Sequence, residues 1–144
     1  QIRRFTGNDS TDDLESGNVW ACMAWSGDIA AGLKNPNIEW TVVDTKSHIW
    51  TDNMLIPTGG DVFTASTYMN YVYDPKVAAQ IAAYVYYITP VKGAQDQIAE
   101  FDDTAVGNEL IFPTDETRAK TFIFDAEAAD NPDYKEKFAA LIGA

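Results

Sequence analysis

The side chains that could do chemistry in this 144-residue chain are a lone His48, a lone Cys22, and tryptophans and tyrosines interleaved with carboxylates. A hydrolytic triad would need His48 beside a serine nucleophile and an acid, yet no GxSxG elbow occurs. Ser47, next to it, would point to the opposite face of a strand. One His and one Cys at unrelated positions do not make a zinc site. Gly59-Gly60 lacks the lysine and further glycines of a phosphate-cradling loop. The acidic run GNDSTDDLE lacks the glycine that a calcium loop needs at its sixth position. The adjacent acids Asp12-Asp13 and Asp102-Asp103 sit in polar surroundings, where such pairs are normally solvated. These patterns call for no catalytic residue, no bound metal and no cofactor.

The aromatics are more informative. In residues 19–25 (VWACMAW), strand alternation sets Trp25 on the face of Val19, Ala21 and Met23, opposite Trp20. Trp25 also ends the run, just before Ser26-Gly27, and strand ends in α/β sheets are where ligands sit. In HIWTDNMLIP (residues 48–57), Trp50 and Asp52 are two apart and leave one face of a strand. A carboxylate in an apolar run costs stability unless it is paired, hydrogen-bonded or open to a ligand. A flat ring beside a carboxylate suits an alkylammonium ion: the ring covers methylenes and attracts the cation, while the carboxylate accepts its N–H donors. The competing reading makes each Trp a core residue and lets Asp52 surface. The residues alone leave both open.

The elements that must position these groups alternate in type. Strands are expected over 19–25, 38–43 (IEWTVV) and 49–56, with Pro57 and Gly59-Gly60 closing the last. Asp28 is placed to cap a short helix through Leu33, and Asn35-Pro36-Asn37 reads as a turn. A helix over 61–73 would bury Val62, Ala65, Met69 and Val72. Asp74-Pro75 restarts a second helix, with Val77, Ala78, Ile81, Ala82 and Val85 as its buried stripe. A short helix is expected over 95–101, then a loop-rich stretch over 102–125. Asn131-Pro132 opens a last helix, with Tyr134, Phe138 and Leu141 on one face and Gly143 after its end. This order gives an α/β layer architecture.

Length and charge bound the function. The chain can bury one core, and 46% hydrophobic residues exclude wholesale disorder. Its formal net charge of −12 is spread through both halves; such a field repels nucleic acid and attracts cations. A single cysteine excludes an intrachain disulfide, and Cys22 in its apolar run reads as a buried thiol. No apolar run reaches membrane-spanning length. The start, QIRR, has neither an initiator Met nor a signal-peptide core and reads as a processed or excised piece.

Taken in order, GNVWACMAWSGD, IWTDNMLIP and DPKVAAQIAAYVYYITP resemble the C-terminal portion of the spermidine/putrescine-binding proteins, extracytoplasmic receptors of polyamine ABC transporters. The resemblance runs from about Leu14 to the chain end and weakens after Gln95. It implies a two-lobed periplasmic-binding-protein type II fold with the first half of the parent missing. Residues 1–52 would supply second-lobe strands and the crossover, 53–100 a helical segment of the first lobe, and 101–144 the return and C-terminal helix. It implies polyamine contacts at Trp25, Trp50, Asp52 and Tyr87: Asp52 holding an amine, the two Trp sandwiching methylenes, Tyr87 adding an edge contact or hydrogen bond. A late polar ligand residue of the family falls in Phe122-Ile123-Phe124, where nothing polar is offered. The implied partner is an ABC permease, and the implied location is periplasmic or extracellular, free or held by a lipid anchor on the parent. With both lobes incomplete, the helices over 61–86 would expose apolar stripes, predicting an altered packing, a domain-swapped dimer or a complex with the missing half. Alternatives are the same fold binding iron through Tyr86-Tyr87 or another small solute, and a Trp-lined carbohydrate or protein module. An enzyme comes last.

Overall fold

The computed structural model describes residues 2–32 and 34–143. Two tightly capped helices form its centre. Asp61 accepts the Phe63 and Thr64 N–H groups at 3.0 and 3.2 Å and starts α3 (Val62–Val72). Asp74 does the same for Lys76 and Val77 at 2.9 and 3.3 Å, and Pro75 opens α4 (Pro75–Val85). A carboxylate there satisfies N–H groups that have no partner inside the helix. Before them lie α1 (Ser10–Glu15) and α2 (Ser26–Gly32). After them come α5 (Ala94–Gln97), single 3₁₀ turns at Ile98–Glu100 and Asp103–Ala105, α6 (Asp115–Ala119), α7 (Ala126–Asp130) and α8 (Pro132–Ile142).

The core is small and built mostly of alanine. Ala78, Ala79 and Ala82 of α4 face Ala94, Ile98, Ala105 and Ile111, and among the described residues only Ile98 and Ile111 are large side chains fully enclosed. Alanine lets backbones approach closely but contributes little apolar area per residue. The buried face of α4 is therefore turned from the expected stripe: Ala78 and Ala82 hold, Ala79 joins them, and Ile81 and Val85 stay about two-fifths exposed. The reason is one-sided cover. α5 and the turn after it pack on the alanine face of α4, and Ile81, Tyr84 and Val85 lie on the side left exposed.

The sheet departs most from expectation. Of three expected strands, only the third leaves a trace, β1 (Ser47–Ile49), and residues 19–25, 38–43 and 50–56 form no strand. β1 pairs in parallel with β2 (Thr121–Ile123) in the register Ser47 to Thr121, His48 to Phe122, Ile49 to Ile123. β2, α6 and α7 fall where loop or no element was expected. The cause is physical: β-propensity is realised only against a neighbour. No second strand reaches the other runs among the described residues. The architecture is mixed, mainly helical with one small sheet.

Surface area carries the same message. A compact monomer of 15.9 kDa exposes roughly 7,400 Å². This chain exposes 11240 Å², with Trp20, Met23, Leu55, Phe63 and Leu141 among the uncovered side chains. Among the described residues, no helix is long and apolar enough to cross a membrane.

Candidate functional site

The candidate site is assembled where α2 begins. The Trp25 carbonyl accepts the Ile29 N–H at 3.2 Å, so the ring stands at the helix entry, and its Nε1–H donates to Asn8 Oδ1 at 3.2 Å. The helix starts two residues before the expected cap. Asp28 is thus inside its first turn and does not cap it; Leu33, the expected last residue, lies outside the described residues. The freed Asp28 carboxylate accepts the Tyr87 hydroxyl at 3.0 Å, across 59 positions of sequence. Gly27 makes this approach possible: a Cβ there would fall inside the Tyr87 ring. Loss of water around its ring, and then the bond to Asp28, push the Tyr87 phenol above its ordinary range.

Trp25 also meets Trp50. Their centroids lie 4.8 Å apart at 68°, an edge-to-face contact. Trp50 in turn stacks on His48 at 5.5 Å and 27°, and His48 touches Phe122 and Phe124 at 5.9 and 5.0 Å. The aromatic chain Trp25–Trp50–His48–Phe122/Phe124 thus ties the α2 entry to the small sheet, and the imidazole is engaged by rings on several sides. An alkyl chain held between two parallel rings needs about 7–8 Å between them, twice a carbon contact. The Trp25 and Trp50 rings touch, so no such slot is open.

Of the four residues singled out, Trp25 and Trp50 touch each other beside the entry of α2, and Tyr87 separately reaches Asp28 within it. Asp52 stands apart. The strand that was to carry Trp50 and Asp52 on one face ends at Ile49, and Asn53 Nδ2 donates back to the Thr51 carbonyl at 3.1 Å. Asp52 is exposed and makes no hydrogen bond or ion pair within the described residues. The carboxylate that does join the group is Asp28, whose cue was its position three residues after Trp25. Trp25 and Asp28 line a depression of about 190 Å³, with Asn8, Thr11 and Met23.

The adjacent tyrosines diverge. Tyr86 donates to Asp102 at 2.6 Å and Tyr87 to Asp28, on different elements, so the pair does not offer the shared ligand set that an iron reading required. Among the described residues, no group of three or more His, Cys, Asp or Glu is placed to hold a metal ion.

The sequence matches the bacterial extracellular solute-binding proteins over residues 2–108, and the chain belongs to that family. A relative among characterised proteins is the putrescine-binding periplasmic protein PotF of Escherichia coli (strain K12), 27% identical over 130 residues. The match covers 84% of this chain and 34% of that protein, so the chain spans about a third of that relative's length. No solved structure matches it significantly.

Proposed function

We propose that this chain is part of a receptor that binds a linear protonated amine of the putrescine or spermidine type and hands it to an ABC transporter permease outside the cytoplasm. The observation that carries the reading is a pair of contacts beside the first turn of α2, Trp25 on Trp50 and Tyr87 on Asp28, drawn from separated stretches of sequence. Rings cover methylenes and attract ammonium ions, and a carboxylate accepts their N–H donors. The net charge of −12 raises the local concentration of cations. Similarity to a putrescine-binding protein points the same way. In this reading Trp25 and Trp50 part to admit the carbon chain, Tyr87 and Asp28 meet one end, and Asp52 holds an amine once the 50–56 segment closes over it. Binding is the whole task; no bond is made or broken.

The two-lobed assignment belongs to the same proposal: residues 1–52 and 101–144 in one lobe, 53–100 in the other. The uncovered apolar surface on α3, α4 and residues 19–25 would then be met by the rest of a receptor or by a second copy. Calorimetric titration with putrescine, spermidine, ferric ion and a neutral sugar tests the ligand class. Putrescine or spermidine binding supports the reading; binding of sugar alone, or of iron with a charge-transfer colour, replaces it. In a binding protein, Asp52→Asn is expected to weaken the amine about tenfold or more, the contribution of a charge-assisted hydrogen bond. Unchanged affinity removes Asp52 from the site.

A further inference from the structure

Tyr86 leaves α4 in the left-handed conformation, φ 58° and ψ 18°, at the helix end where glycine is usual. A side chain there is disfavoured by contact between its Cβ and the backbone, so something must hold it. Three contacts do. The Tyr86 N–H donates to the Ala82 carbonyl at 2.8 Å, its ring packs on the alanine core, and its hydroxyl donates to Asp102 Oδ2 at 2.6 Å. Asp102 is itself fixed, because Oδ1 accepts both the Thr104 N–H at 2.9 Å and the Thr104 hydroxyl at 2.6 Å. That cap anchors the Asp103–Ala105 turn, whose Ala105 is fully buried in the core. The clamp thus ties the exit of α4 to the best-packed part of the molecule.

The consequence falls on the next residue. A left-handed residue ends the helix and redirects the chain, and Tyr87 then reaches α2 instead of following α4. Its ring lies on Gly27 and its hydroxyl on Asp28. We infer that Tyr86, clamped by Asp102, is a positioning residue that fixes Tyr87 against α2 and so sets one wall of the amine site. A glycine at 86 could make the same turn but would carry no anchor, and a phenylalanine would keep the ring but lose the bond to Asp102. The last step, from Tyr87 to ligand, rests on the amine-binding reading; the positioning itself does not.

Putrescine titrations of the wild type, Tyr86→Phe, Tyr87→Phe and the double variant test this, alongside Asp102→Ala and Asp102→Asn. Tyr86→Phe is expected to weaken binding about three- to tenfold, the worth of one net hydrogen bond. The same change in the Tyr87→Phe background should cost nothing further, since the cycle isolates what passes between the two residues. Asp102→Asn, which keeps a hydrogen bond to Tyr86, should recover part of what Asp102→Ala loses. Wild-type affinity in Tyr86→Phe, or an equal loss with and without the Tyr87 hydroxyl, overturns the inference. If the wild type binds no putrescine, the amine reading fails by itself, and proton NMR decides the positioning. Nuclear Overhauser contacts between the Tyr87 ring and the Gly27 α-protons should fade in Tyr86→Phe; their persistence overturns it.

Discussion

Residues 61–112 and residues 19–56 have similar apolar content but meet different fates. In the first stretch, capped helices close on an alanine core, and every fully enclosed large side chain of the described chain lies there. In the second, VWACMAW and IEWTVV form no helix or strand, with Trp20 and Met23 almost wholly in solvent. A helix satisfies its backbone within itself, so local signals suffice to form it and one neighbour suffices to hold it. A strand satisfies its backbone only against another strand, so the same apolar content achieves little until a partner arrives. The site sits at the seam, with Tyr87 contributed by the first stretch and Trp25, Asp28 and Trp50 by the second.

The sharpest way to break that contrast is to remove the core of the first stretch. Ile98→Ala leaves a cavity between α4 and the turns after α5, and large-to-small changes at enclosed isoleucines cost about 2–5 kcal/mol. A denaturant melt should show such a loss, with the far-ultraviolet helix signal collapsing early. A loss under about 1 kcal/mol would mean that Ile98 is not enclosed in solution. Next in size is the cap of α4. Asp74→Ala removes the acceptor for two N–H groups and should cost about 1 kcal/mol, read as a lowered melting midpoint.

These elements also mark what could be read from sequence. Asp61, Asp74-Pro75 and Asn131-Pro132 all start helices where expected, and Gly143 ends α8 in the left-handed conformation, because caps are local chemistry. The face of α4 was only half legible, since which flank is buried depends on a neighbour outside the helix. Strands 19–25 and 38–43 were expected from residue type, but pairing is not written in residue type. β2 was hidden for the converse reason, its three residues being too few to show alternation. Of the candidate site, Trp25 and Trp50 were singled out by strand end and spacing and Tyr87 by the resemblance; Trp25 touches Trp50, and Tyr87 reaches Asp28. Asp28 was seen only as a helix cap, because its reach to Tyr87 spans 59 positions.

Titration sharpens the seam. The Asp102 bond pushes the Tyr86 phenol upward, as desolvation and Asp28 do for Tyr87, whereas bonds from Thr104 and Tyr86 hold Asp102 below the ordinary carboxylate range. A raised phenol contributes stability that is complete below the unfolded-state value and is lost as pH rises through the folded one. A lowered carboxylate contributes above its unfolded value and loses that contribution as pH falls through the folded one. The Tyr86–Asp102 contact should therefore persist from mildly acidic pH to the onset of phenol ionisation, and the Tyr87 contact should be lost as pH rises through its raised phenol value. Tyr86 and Tyr87 should each ionise above the ordinary phenol range, followed by difference absorbance in single Tyr→Phe variants. Ionisation of either at the ordinary phenol value would mean that its carboxylate contact is absent in solution.

The smallest expected effect is the most discriminating for the second stretch. Trp20 is wholly exposed, so Trp20→Ala should change stability by no more than about 0.5 kcal/mol in the isolated chain. The value of the variant lies in its concentration dependence. Stability that comes from association rises with protein concentration, whereas stability from within one chain does not. If Trp20→Ala is silent at low micromolar concentration but lowers the midpoint near millimolar, a second copy covers residues 19–25, and the unpaired run is one side of an interface. Silence at both concentrations leaves the run open to a different partner, or to none. A loss above about 1 kcal/mol already at low concentration would show that Trp20 packs within the chain, and the contrast between the two stretches would fall.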